Sequence, residues 1–425
     1  MASNTHSSSQ RGRLFAWLDR RFPIQELLDR ELTGYYAPKN LSFWYYFGAL
    51  ALLLLVIQFA TGIFLATFYK PGELTAFDSV QYIVREVPWG WFIRYAHSTG
   101  ASFFFIVVYL HMFRALLYGS YKAPRELLWI IGMFIYLGLM AEAFMGYVLP
   151  WGNMSFWGAQ VIVNLFGTIP GVGPELVQWI RGDYGISDAA LSRFFALHVI
   201  AVPLGLLLLV VLHIVALHHV GSNNPDGIEI KENINADGKP LDGIPFHPYY
   251  TVKDVLSVGV FLVVFAFVLF FAPTFGGIFL EAANFEPANP LSTPEHIAPV
   301  WYLTPYYAIL RAVPNQRLGA LLMLLAVASF MFLPWLDRSP VRSIRYKGWL
   351  SRVALTVFVL SFVALGYLGL RPAEGKYVVL ARLFTAFYFA FFWLMPLYSK
   401  IEAVKAVPAR VIRSPISGRR IEKMP

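Results

Sequence analysis

RYAHSTGASFFFIVVYLHMFR, residues 94–114, decides how this chain is read. The stretch is mostly apolar and close to the roughly 20 residues that a membrane-spanning helix needs. Inside it lie His97 and His111. Ionisable side chains are costly at membrane depth and mark function by default. The two histidines are fourteen residues apart. Fourteen residues of helix rise about 21 Å and turn through nearly four turns, so both rings leave one helix face at two depths.

A second apolar stretch, 191–217, carries His198 and His213, fifteen residues apart. Fifteen residues overshoot four turns by about 60°. Pro203 lies between them, and a kink or local rewinding there would restore the register. The two spans run antiparallel, which places His97 level with His198 and His111 level with His213. Two facing pairs suit bis-imidazole ligation of two haem irons. An interhelical hydrogen bond accounts for one intramembrane histidine, but not for four at matched depth.

Glycines repeat the spacing. Gly48 and Gly62, and Gly132 and Gly146, are fourteen apart. Small residues let a neighbour approach a helix closely, and this spacing fits haem edges entering at two depths. Arg94 precedes His97 by three residues and Arg114 follows His111 by three. Each guanidinium could pair with haem propionates, although snorkelling at the interface explains the two equally well.

Composition widens the reading to the whole chain. Of 425 residues 57% are apolar, 17% aromatic and 14% charged, against about 25% charged in soluble domains. The mean hydropathy of +0.56 agrees. Apolar runs at 43–68, 91–118, 127–149, 191–217, 254–272, 317–336, 350–370 and 378–398 give eight candidate spans. The expected fold is an all-α integral membrane protein, its first four helices bundled around two stacked haems.

There is no cysteine, which excludes disulfides, thiolate-bound clusters and covalent c-type haem. The net charge of +9 follows from loop bias rather than nucleic-acid binding, since no basic cluster is interleaved with stacking aromatics. Of 34 Lys and Arg, about 24 fall in the N-terminal segment, the 119–126, 218–253 and 337–349 connections, the C-terminal tail and adjoining span ends. The positive-inside rule turns these to the cytoplasm, with both termini. The polar start, MASNTHSSSQRGRL, lacks the apolar core of a secretory signal.

Three parts are expected. Residues 1–40 form a tail with an amphipathic surface helix from Arg11 to Leu32. Residues 41–220 form the di-haem bundle, and 221–425 a second four-helix region. Two connections on the outer side, 150–188 with PWGNMSFWGAQVIVNLFG and 273–316 with TPEHIAPVWYLTPYY, hold apolar segments too short to span. Irregular backbone at membrane depth must be covered by protein or line a cavity, so a binding site is expected there. A lipid-soluble two-electron carrier such as a quinone would suit two stacked haems.

These residues resemble the cytochrome b subunit of the quinol–cytochrome c reductase (cytochrome bc) complex, in its bacterial respiratory form. The resemblance rests on RYAHSTGA with HMFR, MAEAFMGYVLPWGNMSFWGA, FFALH with LHIVALHHVGSNNP, FHPYYTVKD, and TPEHIAPVWY with AILRAVPN. It covers the chain after its N-terminal tail.

It implies ligation of two non-covalent b-type haems, one low- and one high-potential, by His97 with His198 on the outer side and by His111 with His213 on the inner side. It implies an outer site where quinol is oxidised, its electrons dividing between a Rieske iron–sulfur protein and the outer haem. The inner haem then reduces quinone at a second site, completing a proton-translocating Q cycle. The implied setting is the bacterial inner membrane, beside a membrane-anchored c-type cytochrome, in a homodimeric complex. By matching motifs the outer site falls at Tyr147, Gly158, Pro299, Trp301 and Tyr302, with Gly158 keeping the pocket open. The inner site falls at His218, Ser222, Lys253 and Asp254, where a His and an Asp could relay protons.

Three departures stand out. The family's Pro-Glu-Trp-Tyr motif is here Pro299-Val300-Trp301-Tyr302, so the proton-accepting acid is missing; Glu295 could replace it. The fifteen-residue spacing matches the photosynthetic relative, but that protein is split after its fourth span and binds an extra haem through Cys. Val163 stands where a more polar residue is common. A di-haem dehydrogenase anchor would lack the GAQVIVNLF and PVWY segments, a transporter would use broken helices and midplane polar groups, and a scaffold would need no histidine register.

Overall fold

The computed structural model describes residues 17–23, 25–26 and 34–411. Most of the amphipathic segment expected from Arg11 to Leu32 lies outside them. Long apolar helices dominate, as the runs of hydropathy require: α1 Phe47–Ala66, α3 Gly90–Tyr118, α4 Glu126–Val148, α7 Asp188–Val220, α8 Tyr249–Phe271, α11 Trp349–Gly369 and α12 Gly375–Trp393. Between them lie shorter helices α2 Ala76–Arg85, α5 Asn153–Phe166, α6 Gly173–Arg181, α9 Thr304–Arg311 and α10 Gln316–Met331.

Seven helices among the described residues are long and apolar enough to cross a membrane. The expected span 317–336 is divided. Helix α10 has 16 residues and stops at Phe332, and a separate turn, Leu333–Leu336, carries Pro334 in its first positions. Proline cannot donate the backbone bond that would continue the first helix.

Local chemistry sets the ends. Helix α3 leaves through Gly119 at φ +64°, the left-handed exit that glycine supplies without a Cβ penalty. A Cβ there would also lie 2.5 Å from the Arg342 carbonyl oxygen. Helix α10 starts where the Asn315 side chain accepts from Leu318 N–H at 3.0 Å, satisfying one of the free amides of a first turn. The strand content described is one short antiparallel pair, Tyr36–Pro38 with Gly243–Pro245.

Helix α1 packs along α3, α4 along α7, and α9 between α10 and α11. A ring cluster joins the two halves. Phe105 on α3 stacks on Tyr302 with centroids 3.8 Å apart. Tyr109 O–H donates to the Tyr302 carbonyl, and Tyr136 O–H to Tyr306 at 2.9 Å. Buried hydroxyls cost free energy unless paired, so these bonds fix where the segment around residue 302 sits against the bundle.

Candidate functional site

The four histidines meet in two pairs. His97 and His198 have ring centroids 6.2 Å apart, and His111 and His213 6.4 Å apart. Level pairing needs His198 and His213 to keep the phase of their fourteen-residue counterparts. Residues Leu197–Ala201 form a π-helical turn in which Val202 N–H bonds the Leu197 carbonyl. A π turn absorbs one extra residue, so fifteen residues cover the arc that fourteen cover in a regular helix. The rewinding expected near Pro203 thus takes place in the turn directly before it.

Each glycine lies opposite one histidine of the neighbouring helix. A Cβ at Gly62 would meet the His97 ring at 3.2 Å, and one at Gly48 the His111 ring at 3.4 Å. At Gly132 it would meet His213 at 3.2 Å, and at Gly146 it would meet His198 at 2.4 Å. What the absent Cβ admits here is an imidazole, at both depths and on both helix pairs.

At the His97 end the ring nitrogens are assigned by their partners. Thr61 Oγ1 donates to the Ile57 carbonyl at 2.6 Å, so it accepts from His97 Nδ1 at 2.9 Å. His198 Nδ1 donates to the Glu142 carbonyl at 2.9 Å, with the Glu142 carboxylate at the same distance. Both rings therefore carry their proton on Nδ1 and present an Nε2 lone pair, as a metal-bound histidine does. At the other end Arg114 Nη2 lies 3.2 Å from His111 Nδ1 and its guanidinium covers the Tyr45 ring. Among the described residues Arg114 Nε and His213 Nδ1 have no hydrogen-bond partner. A buried guanidinium that no carboxylate pairs among the described residues, beside a histidine pair, fits an anionic cofactor edge. Arg94 is half-buried on α3, one turn before His97.

Beyond the His97 end, Tyr147 at the tip of α4 faces the loop that follows α8. Tyr147 O–H donates to Glu281 Oε2 at 3.1 Å, and Asn284 Nδ2 donates to the same oxygen at 3.1 Å and to the Tyr147 oxygen at 3.0 Å. Asn284 Oδ1 accepts from Ser155 N–H and O–H on α5. Burial pushes the Glu281 carboxyl up to about 7, against the lowering by its own backbone N–H and by Tyr147 and Asn284. Trp301 stacks near Phe279 and donates to Ser102 at 3.2 Å. Val300 and Tyr302 are buried, Pro299 is half-buried and Glu295 is exposed. A Cβ on Gly158 would come 3.6 Å from the Tyr147 ring, an ordinary contact, so nothing among the described residues excludes a small side chain there.

The second cluster gathers at the His111 end. His218 stacks on Tyr35 at 4.5 Å, and Tyr35 O–H bonds Ser222 Oγ at 2.8 Å. Phe246 and Tyr250 continue the ring contacts, with Lys253 over Tyr249 and Tyr250. Asp254 sits one residue further along α8, half-buried. Sequence reasoning named His218, Ser222, Lys253 and Asp254 but missed Tyr35, which holds two of them together. It also missed Glu142, Thr61, Glu281 and Asn284. Only Glu142 carried a usable signal, as an acid inside an apolar run four residues from Gly146.

Comparison with known proteins adds independent support. The family model Cytochrome b/b6/petB matches residues 32–221, and Cytochrome b(C-terminal)/b6/petD matches 287–389. The chain is 60% identical over 412 residues to a cytochrome b of Allochromatium vinosum, spanning 95% of this chain and 99% of the relative. It is 50% identical to that of Rhodospirillum rubrum, spanning 94% and 96%. A solved structure described as a hyperthermophilic respiratory Complex III superposes with a TM-score of 0.84 at 41% identity, covering 91% of this chain and 99% of that one.

Proposed function

The chain belongs to the cytochrome b family, as the core subunit of a quinol–cytochrome c oxidoreductase in a bacterial membrane, and we propose that its two histidine pairs hold two b-type haems between two quinone sites. His97 with His198, and His111 with His213, would supply axial imidazoles. Two ligands suit an iron whose other four positions belong to a porphyrin. The observation that carries this is the π turn containing His198, which brings a fifteen-residue spacing into level with a fourteen-residue one. When bound, the haems supply one-electron transfer across the membrane.

The residues do the rest. Thr61 and the Glu142 carbonyl hold the Nδ1 protons of the outer pair, keeping each Nε2 toward the ligand. Gly48, Gly62, Gly132 and Gly146 let the rings lie against the opposite helices. Arg114, and Arg94 at the other end, would pair with propionates. Tyr147, Gly158, Pro299, Trp301 and Tyr302 would line the site where quinol is oxidised. His218, Ser222, Lys253 and Asp254, with Tyr35 bracing the first two, would form the site where quinone is reduced and would pass it protons.

We assign the His97 end to the outer side and both termini to the cytoplasm, from the Lys and Arg distribution. Residues 41–220 then form the haem-bearing part and 221–425 the second part, with α10 and Leu333–Leu336 together making an eighth crossing. A Rieske protein and a membrane-anchored c-type cytochrome would be the electron acceptors, within a homodimeric complex running a Q cycle. A reduced-minus-oxidised spectrum of the purified assembly tests the reading. Two b-type signals and inhibitor-sensitive cytochrome c reduction are expected, and their absence overturns it.

A further inference from the structure

We propose that Glu281 is the base that takes a proton from quinol at the Tyr147–Trp301–Tyr302 pocket, in place of the acid that position 300 lacks. The inference rests on the quinol-oxidising reading above. Val300 is buried and has no proton-accepting group. Glu281 reaches the same pocket from another direction. It lies two residues after Phe279, whose ring stacks near Trp301, and its Oε2 accepts from Tyr147 and Asn284. Its Oε1 receives no hydrogen bond from another described residue, which leaves that oxygen for a substrate hydroxyl.

The electrostatics suit the role. Among the described residues no cation forms an ion pair with Glu281. The titratable groups facing it are Tyr147 and Tyr302, and the phenol of Tyr302 is itself pushed up by burial and by the Glu281 charge. A carboxyl in the neutral range can both accept and release a proton at working pH, which is what general-base catalysis needs. Oxidation of one quinol to quinone releases two electrons and two protons. The electrons leave singly to the complex's two acceptors, an iron–sulfur protein and the outer haem. One quinol O–H bond breaks as an O–H bond forms at Glu281, and the second breaks as its proton passes to water. The proton on Glu281 then passes to water past the exposed neighbours Ala282, Phe285 and Glu286. Glu295, the acid nominated by sequence, is exposed and makes no bond to this cluster.

The test uses the assembled complex in membranes with a short-chain ubiquinol. Two haem signals and quinol oxidation in the parent complex secure the underlying reading separately. Glu281→Gln should keep both signals and slow quinol-driven haem reduction on the order of 100-fold. It should also erase a rate midpoint near pH 7. Glu281→Asp should shift that midpoint, and adding Val300→Glu to Glu281→Gln should recover about tenfold. Parental rate and pH profile in Glu281→Gln, or a larger loss in Glu295→Gln, overturns the proposal. If Glu281→Gln fails to assemble, infrared titration of the parent decides: a carboxyl band must titrate near pH 7 and respond to quinol, and its absence overturns the assignment.

Discussion

Four acidic side chains at one end of the bundle are held differently from Glu281 at the other. At the His111 end Glu229 meets Arg125 and Arg342, Asp337 meets Lys122 and Lys347, Asp242 meets Lys39 and Arg410, and Asp226 meets Arg345, while Asp254 forms no ion pair among the described residues. At the His97 end Glu281 meets only neutral donors, Tyr147 and Asn284. The consequence appears in protonation. Burial pushes Asp242 up, but hydrogen bonds from Arg410 and Lys39 outweigh it and hold the carboxyl at about 2. Glu281 has burial without a counter-ion and rises to about 7. Paired acids tie chain segments together; an unpaired one is free to exchange protons.

Of the four glycines Gly146 admits its histidine most tightly and Gly48 least, and this gives the largest expected effect. Gly146→Leu should remove the outer haem signal from a visible spectrum, because even a Cβ there lies 2.4 Å from the His198 ring. Gly48→Ala, with 3.4 Å to His111, should leave both signals in place with a shifted inner-haem midpoint. Equal behaviour of the two would break the contrast.

Next comes the removal of a paired acid. Glu229→Gln leaves Arg125, only 2% exposed, without its carboxylate. Breaking such a buried pair costs about 3–5 kcal/mol, readable as a fall in the thermal midpoint of haem release. The pH dependence of quinol oxidation should not move. A moved profile would mean that the paired acids share in the chemistry.

The pH profile of the parent is the third measurement. The base must be ionised to accept a proton, so quinol oxidation should fall as pH drops through about 7. The stability contribution has the other sign. A carboxyl raised from about 4.3 unfolded binds more protons folded, so stability declines as pH climbs from about 4 toward 7.

The smallest effect belongs to Asp242. Its carboxyl is depressed, so its contribution is complete above about 4 and is lost only as pH falls toward about 2. Comparing parent with Asp242→Asn between pH 5 and 8, the stability difference should stay flat. A slope in that window would contradict the pairing.

Much of this molecule was legible in the residues. Hydropathy located the long helices because a bilayer demands about 20 apolar residues per crossing. Histidine and glycine spacing located the levels because helix rise and twist are nearly constant. The sixth apolar run, 317–336, is one span by length alone, although Pro334 within it marks where helical hydrogen bonding is interrupted. The fifteen-residue spacing showed that a rewinding was needed, while its form, a π turn at Leu197–Ala201, depends on how α7 packs against α4.

The acid proposed for the Tyr147 cluster separates what the residues determine from what packing decides. Sequence showed that position 300 lacks a carboxylate and offered a replacement nearby. It nominated Glu295, which is nearest along the chain. Glu281 lies 19 positions before Val300, on a loop whose path is set by Asn284 anchoring to Ser155 and Tyr147. Periodicity fixes depth and facing along one helix. Which loop side chain reaches a given pocket follows from contacts between remote segments, and those exist only once the chain has packed.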